Sequence, residues 1–216
     1  MIQASASNGL RENFDIYAEE ADVEKAVRFL RSGGVVVFPT DTLYGLGADA
    51  FSIPALERIF TIKLRPAETS LPLLVSCWDQ VETVTRQTPD AARRLARRFW
   101  PGPLTLVLPK AEQLPVRVTG GKDTVAVRMP DHPVALAIIR RFGRPITGTS
   151  ANRSGQQDLL DYKSVKAELG KDVDYIVQSG PQPKGAPSTV IDLTTEFPTL
   201  LRQGALPMDE ILREIG

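Results

Sequence analysis

The sequence is poor in the side chains that build metal sites and disulfide bonds. It contains one cysteine, Cys77, and one histidine, His132. A single cysteine excludes an internal disulfide and is typical of reducing compartments. One histidine and one cysteine do not suffice for a usual zinc site, so no protein-bound metal is predicted. His132 lies between Asp131 and Pro133, which favours a loop or helix-capping role over general-base catalysis.

Long apolar runs and an excess of charge of one sign are also missing. No apolar run approaches the roughly 20 residues that cross a bilayer, and residues 1–12 lack the apolar core of a signal peptide. We therefore expect a cytoplasmic protein without membrane association, in which residues 1–13 form a disordered extension and residues 14–216 a single domain. The 26 Lys and Arg balance the 26 Asp and Glu. Overall charge thus gives no support for strong nonspecific nucleic-acid binding.

Several common catalytic motifs are absent as well. There is no phosphate-binding G-K-[ST] loop and no G-x-S-x-G nucleophile elbow. Residues 45–50 fit the loose dinucleotide pattern G-x-G-x-x-A, but six residues separate Gly45 from the preceding predicted strand, and Pro54 lies early in the next helix. Both features disfavour a Rossmann site.

What the sequence does contain is an alternation of helical and extended patterns. Helices are predicted at residues 22–31, 54–62, 89–100 with Thr88 as the cap, 133–142 and 207–215. Strands are predicted at residues 35–38, 71–76, 104–108, 124–128, 145–147, 173–177, 188–193 and 199–202. This alternation predicts the α/β (α+β) class, with a twisted, mixed β-sheet and flanking helices.

The most informative segment is P-T-D-T-L-Y-G-L-G-A-D-A-F at residues 39–51, directly after a buried strand. Four hydroxyl or carboxylate side chains crowd into its first half: Thr40, Asp41, Thr42 and Tyr44. Gly45 and Gly47 then allow a ligand to approach the backbone closely. Such a strand end suits a small polar ligand. An ordinary polar turn is equally compatible with this segment alone.

Two further segments carry ligand-binding side chains. Lys63 and Arg65 lie two residues apart on what we predict to be an extended, solvated loop, so they project the same way and suit a triphosphate. Residues 147–155, T-G-T-S-A-N-R-S-G, form a second cluster of small polar groups after a predicted strand. For each segment alone, a solvated loop is the more common interpretation.

Arginines follow two predicted strands and crowd one predicted helix. Arg128 and Arg202 lie at strand ends, where an anion ligand or an exposed edge residue is expected. The helical arginines, Arg93, Arg94, Arg97 and Arg98, indicate a solvated face. Residues 61–150 contain 14 Lys and Arg against 7 Asp and Glu. This local excess would serve a nucleotide as well as an RNA.

Seven motifs occur in one order from about residue 20 to the end of the chain. They are P-T-D-T-L-Y-G-L-G at 39–47, K-L-R-P at 63–66, W-P-G-P-L-T-L at 100–106, D-T-V-A-V-R-M-P at 123–130, T-S-A-N-R-S-G at 149–155, P-S-T-V-I-D-L at 187–193 and L-R-Q-G-A at 201–205. Together they resemble the YrdC/TsaC family, the threonylcarbamoyl-AMP synthases.

The resemblance implies a YrdC-like (DHBP synthase-like) open sheet with a concave basic face. It implies a nucleotidyltransferase that joins L-threonine, bicarbonate or CO2, and ATP into threonylcarbamoyl-AMP and pyrophosphate, with Mg2+ accompanying the ATP. The product would pass to a tRNA threonylcarbamoyltransferase that modifies adenosine at position 37 of tRNA. The resemblance also implies that the threonine carbamate itself attacks the α-phosphate. No side chain here resembles a covalent nucleophile, so catalysis would be mainly positioning and electrostatics.

The resemblance also assigns residues. The positions that match L-threonine contacts are Thr42, Arg128, Ser150 and Ser188. The positions that match ATP contacts are Lys63, Arg65, Thr124, Asn152 and Arg202. Of these, Lys63 and Arg65 match the basic pair at the phosphates and are the catalytic candidates. Arg128 can bind the amino-acid carboxylate with two parallel hydrogen bonds.

The sequence departs from the family pattern in two places. Thr69 and Ser70 stand where the family usually has Lys or Asn and then Pro, and residues 157–160 replace a P-x-P-T segment. The extra C-terminal domain of longer members is not expected. Two alternatives remain: a non-catalytic paralogue that binds tRNA, double-stranded RNA or ribosomes, and a carbamoyl-transfer module like that of hydrogenase maturation proteins. The latter normally accompanies zinc fingers and an acylphosphatase domain.

Overall fold

The computed structural model describes residues 19–66 and 68–215. The predicted extension at residues 1–13 and the predicted domain start at residue 14 lie outside the described residues. The helices are α1 (19–31 in its described part), α2 (Ile53–Lys63), α3 (Trp78–Val84), α4 (Asp90–Phe99), α5 (Val116–Thr119), α6 (Pro133–Phe142), α7 (Tyr162–Leu169) and α8 (Met208–Ile215). The strands are β1 (Val36–Pro39), β2 (Tyr44–Gly47), β3 (Leu73–Leu74), β4 (Leu104–Pro109), β5 (Thr124–Arg128), β6 (Ile146–Thr147), β7 (Thr149–Ser150), β8 (Tyr175–Ile176), β9 (Thr189–Asp192) and β10 (Thr199–Arg202).

The strands form two mixed sheets with helices packed against them, which confirms the predicted fold class. One sheet has the order β7-β2-β1-β8 and the other the order β10-β9-β4-β5-β3-β6. Each sheet contains parallel and antiparallel pairs: β1 is antiparallel to β2 but parallel to β8, and β4 is antiparallel to β5 but parallel to β9. The predicted sheet is therefore divided between two layers.

The two sheets are joined through residues 146–150, here called the crossing segment. Ile146 and Thr147 pair with β3 of the larger sheet, whereas Thr149 and Ser150 pair with β2 of the smaller one. At Gly148, between them, a Cβ atom would lie 2.3 Å from Cγ of Leu74. Real Cβ atoms do not approach that closely, so the crossing requires glycine at this position.

Two apolar cores stabilise the sheets. The larger core packs α2, α4 and α8 against β4, β5 and β9, and the smaller one packs α1 and α6 against β1. The amphipathic periodicity of α1 and α6 places their apolar residues on this inner face. Among residues 19–66 and 68–215, no helix is long and apolar enough to cross a membrane.

One predicted helix start is wrong. Helix α4 begins at Asp90 with Pro89 in the cap position, and no side chain caps it.

The prediction for His132 is confirmed, because its Nδ1 accepts a hydrogen bond from the backbone N–H of Ala135 at the start of α6. The other ring nitrogen of His132 lies 3.0 Å from the carbonyl oxygen of Pro181 and donates to it. This histidine is committed to the fold.

Candidate active site

A polar cleft of about 670 Å³ opens between the β1–β2 turn, the C-terminal end of α2, the crossing segment and the face of the larger sheet. Four cationic side chains line it: Lys63, Arg65, Arg128 and Arg202. Hydroxyl groups surround them, contributed by Thr40, Thr42, Tyr44, Thr69, Ser70, Thr105, Thr149, Ser150, Ser154 and Ser188. Asp158 contributes a carboxylate to the lining. Such a lining suits a polar ligand that carries negative charge.

Arg128 ends strand β5 and lines the cleft although the residue is only 6% exposed. Its Nε donates to the carbonyl oxygen of Gly102 at 2.9 Å and its Nη1 to Oγ1 of Thr42 at 2.7 Å, while Nη2 forms an ion pair with Asp41. Burial lowers the pKa of Arg128, and the Asp41 carboxylate opposes that change. Since a guanidinium carries five N–H groups, one N–H on each terminal nitrogen remains beyond these contacts.

The hydroxyl of Thr42 belongs to a directed chain of hydrogen bonds. Thr40 donates its hydroxyl proton to the carbonyl oxygen of Leu43 at 2.7 Å. The Oγ1 atoms of Thr40 and Thr42 lie 3.0 Å apart, so Thr42 is the donor of that pair. Thr42 in turn accepts from Arg128. The β1–β2 turn thereby fixes the position of the Thr42 hydroxyl before any ligand binds.

Ser188 and Arg202 form a second anchored pair, held by strands β9 and β10. The guanidinium of Arg202 donates to the carbonyl oxygen of Ser188 at 2.8 and 3.1 Å and to its hydroxyl at 3.0 Å. The Ser188 hydroxyl also lies 2.8 Å from Oγ1 of Thr105 on β4. Burial lowers the pKa of Arg202, and Asp158 acts in the opposite direction.

Lys63 differs most from its prediction, because it is the last residue of helix α2 and only 3% exposed. Its Nζ donates to the carbonyl oxygen of Ser150 at 2.5 Å, and to the carbonyl oxygen and Oδ1 of Asn152 at 2.7 and 3.1 Å. Burial, and then the nearby charge of Arg65, lower the pKa of Lys63 to about 8, while Asp158 opposes the shift. The predicted solvated loop is wrong, and the ammonium group holds the loop after β7 in place.

Asn152 is likewise committed to protein contacts. Its Oδ1 accepts from the Ser150 hydroxyl at 2.7 Å as well as from Lys63. Its Nδ2 donates to the carbonyl oxygen of Gln156 at 2.7 Å, with Oδ1 of Asp158 at 3.3 Å. Asn152 and Ser150 thus line the cleft as parts of one hydrogen-bonded network whose centre is Lys63.

Arg65 reaches the cleft because the chain turns sharply after α2. Leu64 adopts the left-handed conformation, with φ of 52°, which is uncommon for a residue with a branched side chain. Lys63 and Arg65 both line the cleft, but the extended geometry predicted for them is wrong, because Lys63 ends a helix and Leu64 turns the chain. Arg65 Nη1 donates to Oγ1 of Thr149 at 3.0 Å. Within residues 19–66 and 68–215 this is the one hydrogen bond of its guanidinium, so most of its N–H groups remain available for a ligand.

Thr124 is the one predicted site residue outside the cleft lining. It shares a face of β5 with Ala126 and Arg128, both of which line the cleft, but it begins the strand that Arg128 ends. At about 3.3 Å per residue, Thr124 lies about 13 Å from Arg128 along β5. Both residues of the first family departure, Thr69 and Ser70, do line the cleft.

The structure adds several residues that the sequence analysis did not select as ligand contacts. Thr105, Thr149 and Asp158 line the cleft, and Asp41 supports Arg128 from behind it. The strand pattern contained a signal for Thr105, since it lies on β4 beside Val190 of β9, which also faces the cleft. Asp158 belongs to residues 157–160, the second segment that departs from the family pattern. That segment has no strand or helix periodicity from which the position of Asp158 could be predicted.

The described residues contain no group of three or more His, Cys, Asp or Glu side chains that could hold a metal ion. Asp158 is the carboxylate of the cleft lining, and the remaining polar groups there are mostly hydroxyls and cations. This donor set does not fit a resident metal, but it fits a metal that arrives already bound to phosphate oxygens.

A mixed α/β fold with a cationic, hydroxyl-lined cleft suits the binding of polar, negatively charged small molecules. The chain belongs to the Sua5/YciO/YrdC family, whose description is "telomere recombination" and which matches residues 28–204. This match confirms the resemblance seen in the seven motifs.

Named relatives and a solved structure agree with the family assignment. The threonylcarbamoyl-AMP synthase of Pyrococcus abyssi is 46% identical over 198 residues, which cover 92% of this chain and 58% of that protein. The threonylcarbamoyl-AMP synthase of Bacillus subtilis is 41% identical over 203 residues, covering 94% and 59%. The crystal structure of P. abyssi Sua5 complexed with L-threonine has a TM-score of 0.87 at 46% identity, and covers 90% of this chain and 57% of that one. The chain therefore spans less than two thirds of the length of these relatives.

Proposed function

We propose that this protein is a nucleotidyltransferase that forms threonylcarbamoyl-AMP from L-threonine, bicarbonate or CO2, and ATP, with release of pyrophosphate. The observation that carries this proposal is the cleft, in which four cations and a ring of hydroxyls meet. Relatives that share over 40% of its residues carry the name of this activity. The product would supply a tRNA threonylcarbamoyltransferase acting at position 37 of tRNA, in the cytoplasm.

The anchored pairs at Arg128 and Ser188 form the proposed threonine subsite. The two remaining N–H groups of Arg128 suit a carboxylate, which accepts parallel hydrogen bonds from a guanidinium. Thr42 and Ser188 add hydroxyls to this cleft, as does Ser150 of the crossing segment. Because these groups are already fixed by the fold, binding threonine costs little reorganisation.

The proposed ATP subsite lies around Arg65, Asn152 and Arg202, whereas Thr124 lies outside the cleft lining. Arg65 has free N–H groups for the phosphates, whereas Lys63 supplies a buried positive charge and holds the loop that contains Asn152. The carbamate oxygen attacks the α-phosphate, and these cations offset the negative charge that develops as pyrophosphate leaves. Mg2+ enters as part of the MgATP substrate and neutralises phosphate charge.

The first test is the substrate requirement of the purified protein. Pyrophosphate release from ATP should require L-threonine, bicarbonate and Mg2+ together, because without bicarbonate no carbamate forms. Arg128 should hold the carboxylate of free threonine away from the α-phosphate. A pyrophosphate release assay with each component omitted in turn checks this.

The same assay separates the alternatives. ATP cleavage with threonine alone would mean aminoacyl-adenylate chemistry and would contradict the carbamate mechanism. No cleavage under any condition, together with tight binding of tRNA or double-stranded RNA, would favour the RNA-binding paralogue.

Two of the α4 arginines that could contact RNA already contact other residues of the protein. Arg93 forms an ion pair with Glu82, and Arg94 donates a hydrogen bond to the carbonyl oxygen of Ile215.

The lowered pKa of Lys63 predicts opposite responses of catalysis and stability to alkaline pH. Product formation should decline above about pH 8, as the ammonium loses its charge. The free energy of unfolding should instead gain a contribution between pH 8 and 10.5, because the unfolded chain keeps a proton that the folded protein has released.

Rates and denaturant unfolding measured from pH 7 to about pH 10 check this pair of trends. The substitution Lys63→Met removes the titrating group, so the unfolding free energy of this variant should not rise with pH in this range. A wild-type rate that stays constant up to pH 10 would show that the charge of Lys63 plays no part in catalysis.

A further inference from the structure

Behind the cleft lies a buried ion pair between Asp41 and Arg128. Their side chains are 5% and 8% exposed. Arg128 lines the cleft, but Asp41 does not, although its neighbours Thr40 and Thr42 do. Asp41 thus contacts Arg128 without lining the cleft, so we expect any influence it has on a ligand to pass through that guanidinium.

The fold holds Asp41 in place by contacts other than the ion pair. The same oxygen, Oδ1, that contacts Arg128 accepts a hydrogen bond from the backbone N–H of Asp131 at 3.1 Å, on the loop before α6. The carbonyl oxygen of Asp41 accepts from the backbone N–H of Lys184 at 3.4 Å. The Asp41 carboxylate therefore has a fixed position, and it can hold the long side chain of Arg128 in one conformation.

Three groups from two separate parts of the chain then define the plane of the guanidinium. These are Asp41 and Thr42 of the β1–β2 turn and the carbonyl oxygen of Gly102, which precedes β4. A planar guanidinium with three anchored nitrogens cannot rotate, so its two remaining N–H groups have fixed directions. Arg202 lines the same cleft, so Arg128, Arg202 and Asp41 together keep one net positive charge for an anion.

We infer that Asp41 is a positioning residue that orients Arg128 toward the carboxylate of L-threonine. The inference rests on the proposed function for the identity of the ligand. Asp41 does not touch the substrate. The ion pair with Asp41 prevents rotation of the Arg128 guanidinium. It also offsets the free-energy cost of burying the charge of Arg128.

The test is Asp41→Asn, which keeps the shape of the side chain and an acceptor oxygen but removes the charge. Calorimetric titration with L-threonine should show affinity reduced about tenfold or more, the effect of one weakened charge-assisted hydrogen bond. Titration with a non-hydrolysable ATP analogue should change by less than about twofold, since the ATP subsite does not depend on this pair. The KM for threonine should rise while the KM for ATP stays constant.

A matched control is Asp49→Asn, because Asp49 is also a buried aspartate paired with an arginine, but its partner Arg144 does not line the cleft as Arg128 does. It should leave both affinities unchanged. L-Threoninol, which lacks the carboxylate, provides a second readout: its affinity should be the same in the wild type and in Asp41→Asn. Equal losses for threonine and threoninol would indicate a general structural role and overturn the inference.

A double variant keeps the test interpretable if Asp41→Asn is unstable. In the Arg128→Ala background, Asp41→Asn should cause no further loss of threonine affinity, because it acts through the missing guanidinium. Unchanged or tighter threonine binding in Asp41→Asn alone would overturn the inference. If the wild type binds threonine as described but forms no product, the proposed function fails while the role of Asp41 stands.

Discussion

Replacing Lys63 with alanine should both abolish product formation and destabilise the fold. The ammonium group donates to three oxygens of Ser150 and Asn152 inside the protein, so its removal leaves buried acceptors unpaired. Unpaired buried acceptors cost on the order of 3 kcal/mol in total. Loss of the buried charge near the phosphates should reduce the rate about a hundredfold or more. Pyrophosphate release and urea unfolding measure the two effects separately.

Arg65→Ala is the informative comparison for this variant. Arg65 makes one hydrogen bond to a side chain of the protein, to Thr149, so its removal should reduce the rate about a hundredfold with a change of unfolding free energy below about 1 kcal/mol. Lys171→Ala, in the exposed turn after α7, should change neither quantity. Wild-type stability in Lys63→Ala would contradict the anchoring role of its ammonium group.

Arg128→Ala should weaken threonine binding far more than ATP binding and should also destabilise the protein. Removing the guanidinium leaves the Asp41 carboxylate buried without its cation, and breaking a buried pair in this way costs about 3–5 kcal/mol. Threonine would lose the group that binds its carboxylate. Calorimetry with threonine and with an ATP analogue, combined with thermal unfolding, measures these effects.

The matched control for Arg128→Ala is Arg144→Ala. The Arg144 side chain is 54% exposed and pairs with Asp49, so its loss should cost less than about 1 kcal/mol and leave threonine binding intact. Threonine affinity that survives in Arg128→Ala would remove the carboxylate assignment. Equal destabilisation by the two arginine substitutions would show that the Asp41–Arg128 pair is no more costly to break than a pair whose arginine is half exposed.

Long elements with a clear apolar period could be predicted from the sequence. Helix α6 has the predicted bounds, because Pro133 begins it and Gly143 ends it in the left-handed conformation. Eight of the nine predicted site residues reach one cleft, Thr124 being the exception. That grouping came from the motif resemblance, since each motif alone is also typical of an ordinary loop.

Short elements and buried polar contacts could not be predicted in this way. Strands β2 and β7 are four and two residues long and consist of motif residues that resemble a turn, so their pairing was missed along with the division into two sheets. The burial of Lys63 depends on contacts with residues nearly ninety positions away. A local sequence pattern does not reveal these distant partners. It does not reveal the role of Asp41 either, which depends on contacts with Arg128, Asp131 and Lys184.

The crossing segment at residues 146–150 also has a consequence for how this site can vary among genes. Its first residues belong to one sheet and its last residues to the other, and Gly148 packs against Leu74 between them. One inserted or deleted residue would turn the following side chains to the opposite face, so that Ser150 would leave the cleft. We therefore expect natural selection to reject insertions and deletions at these five positions.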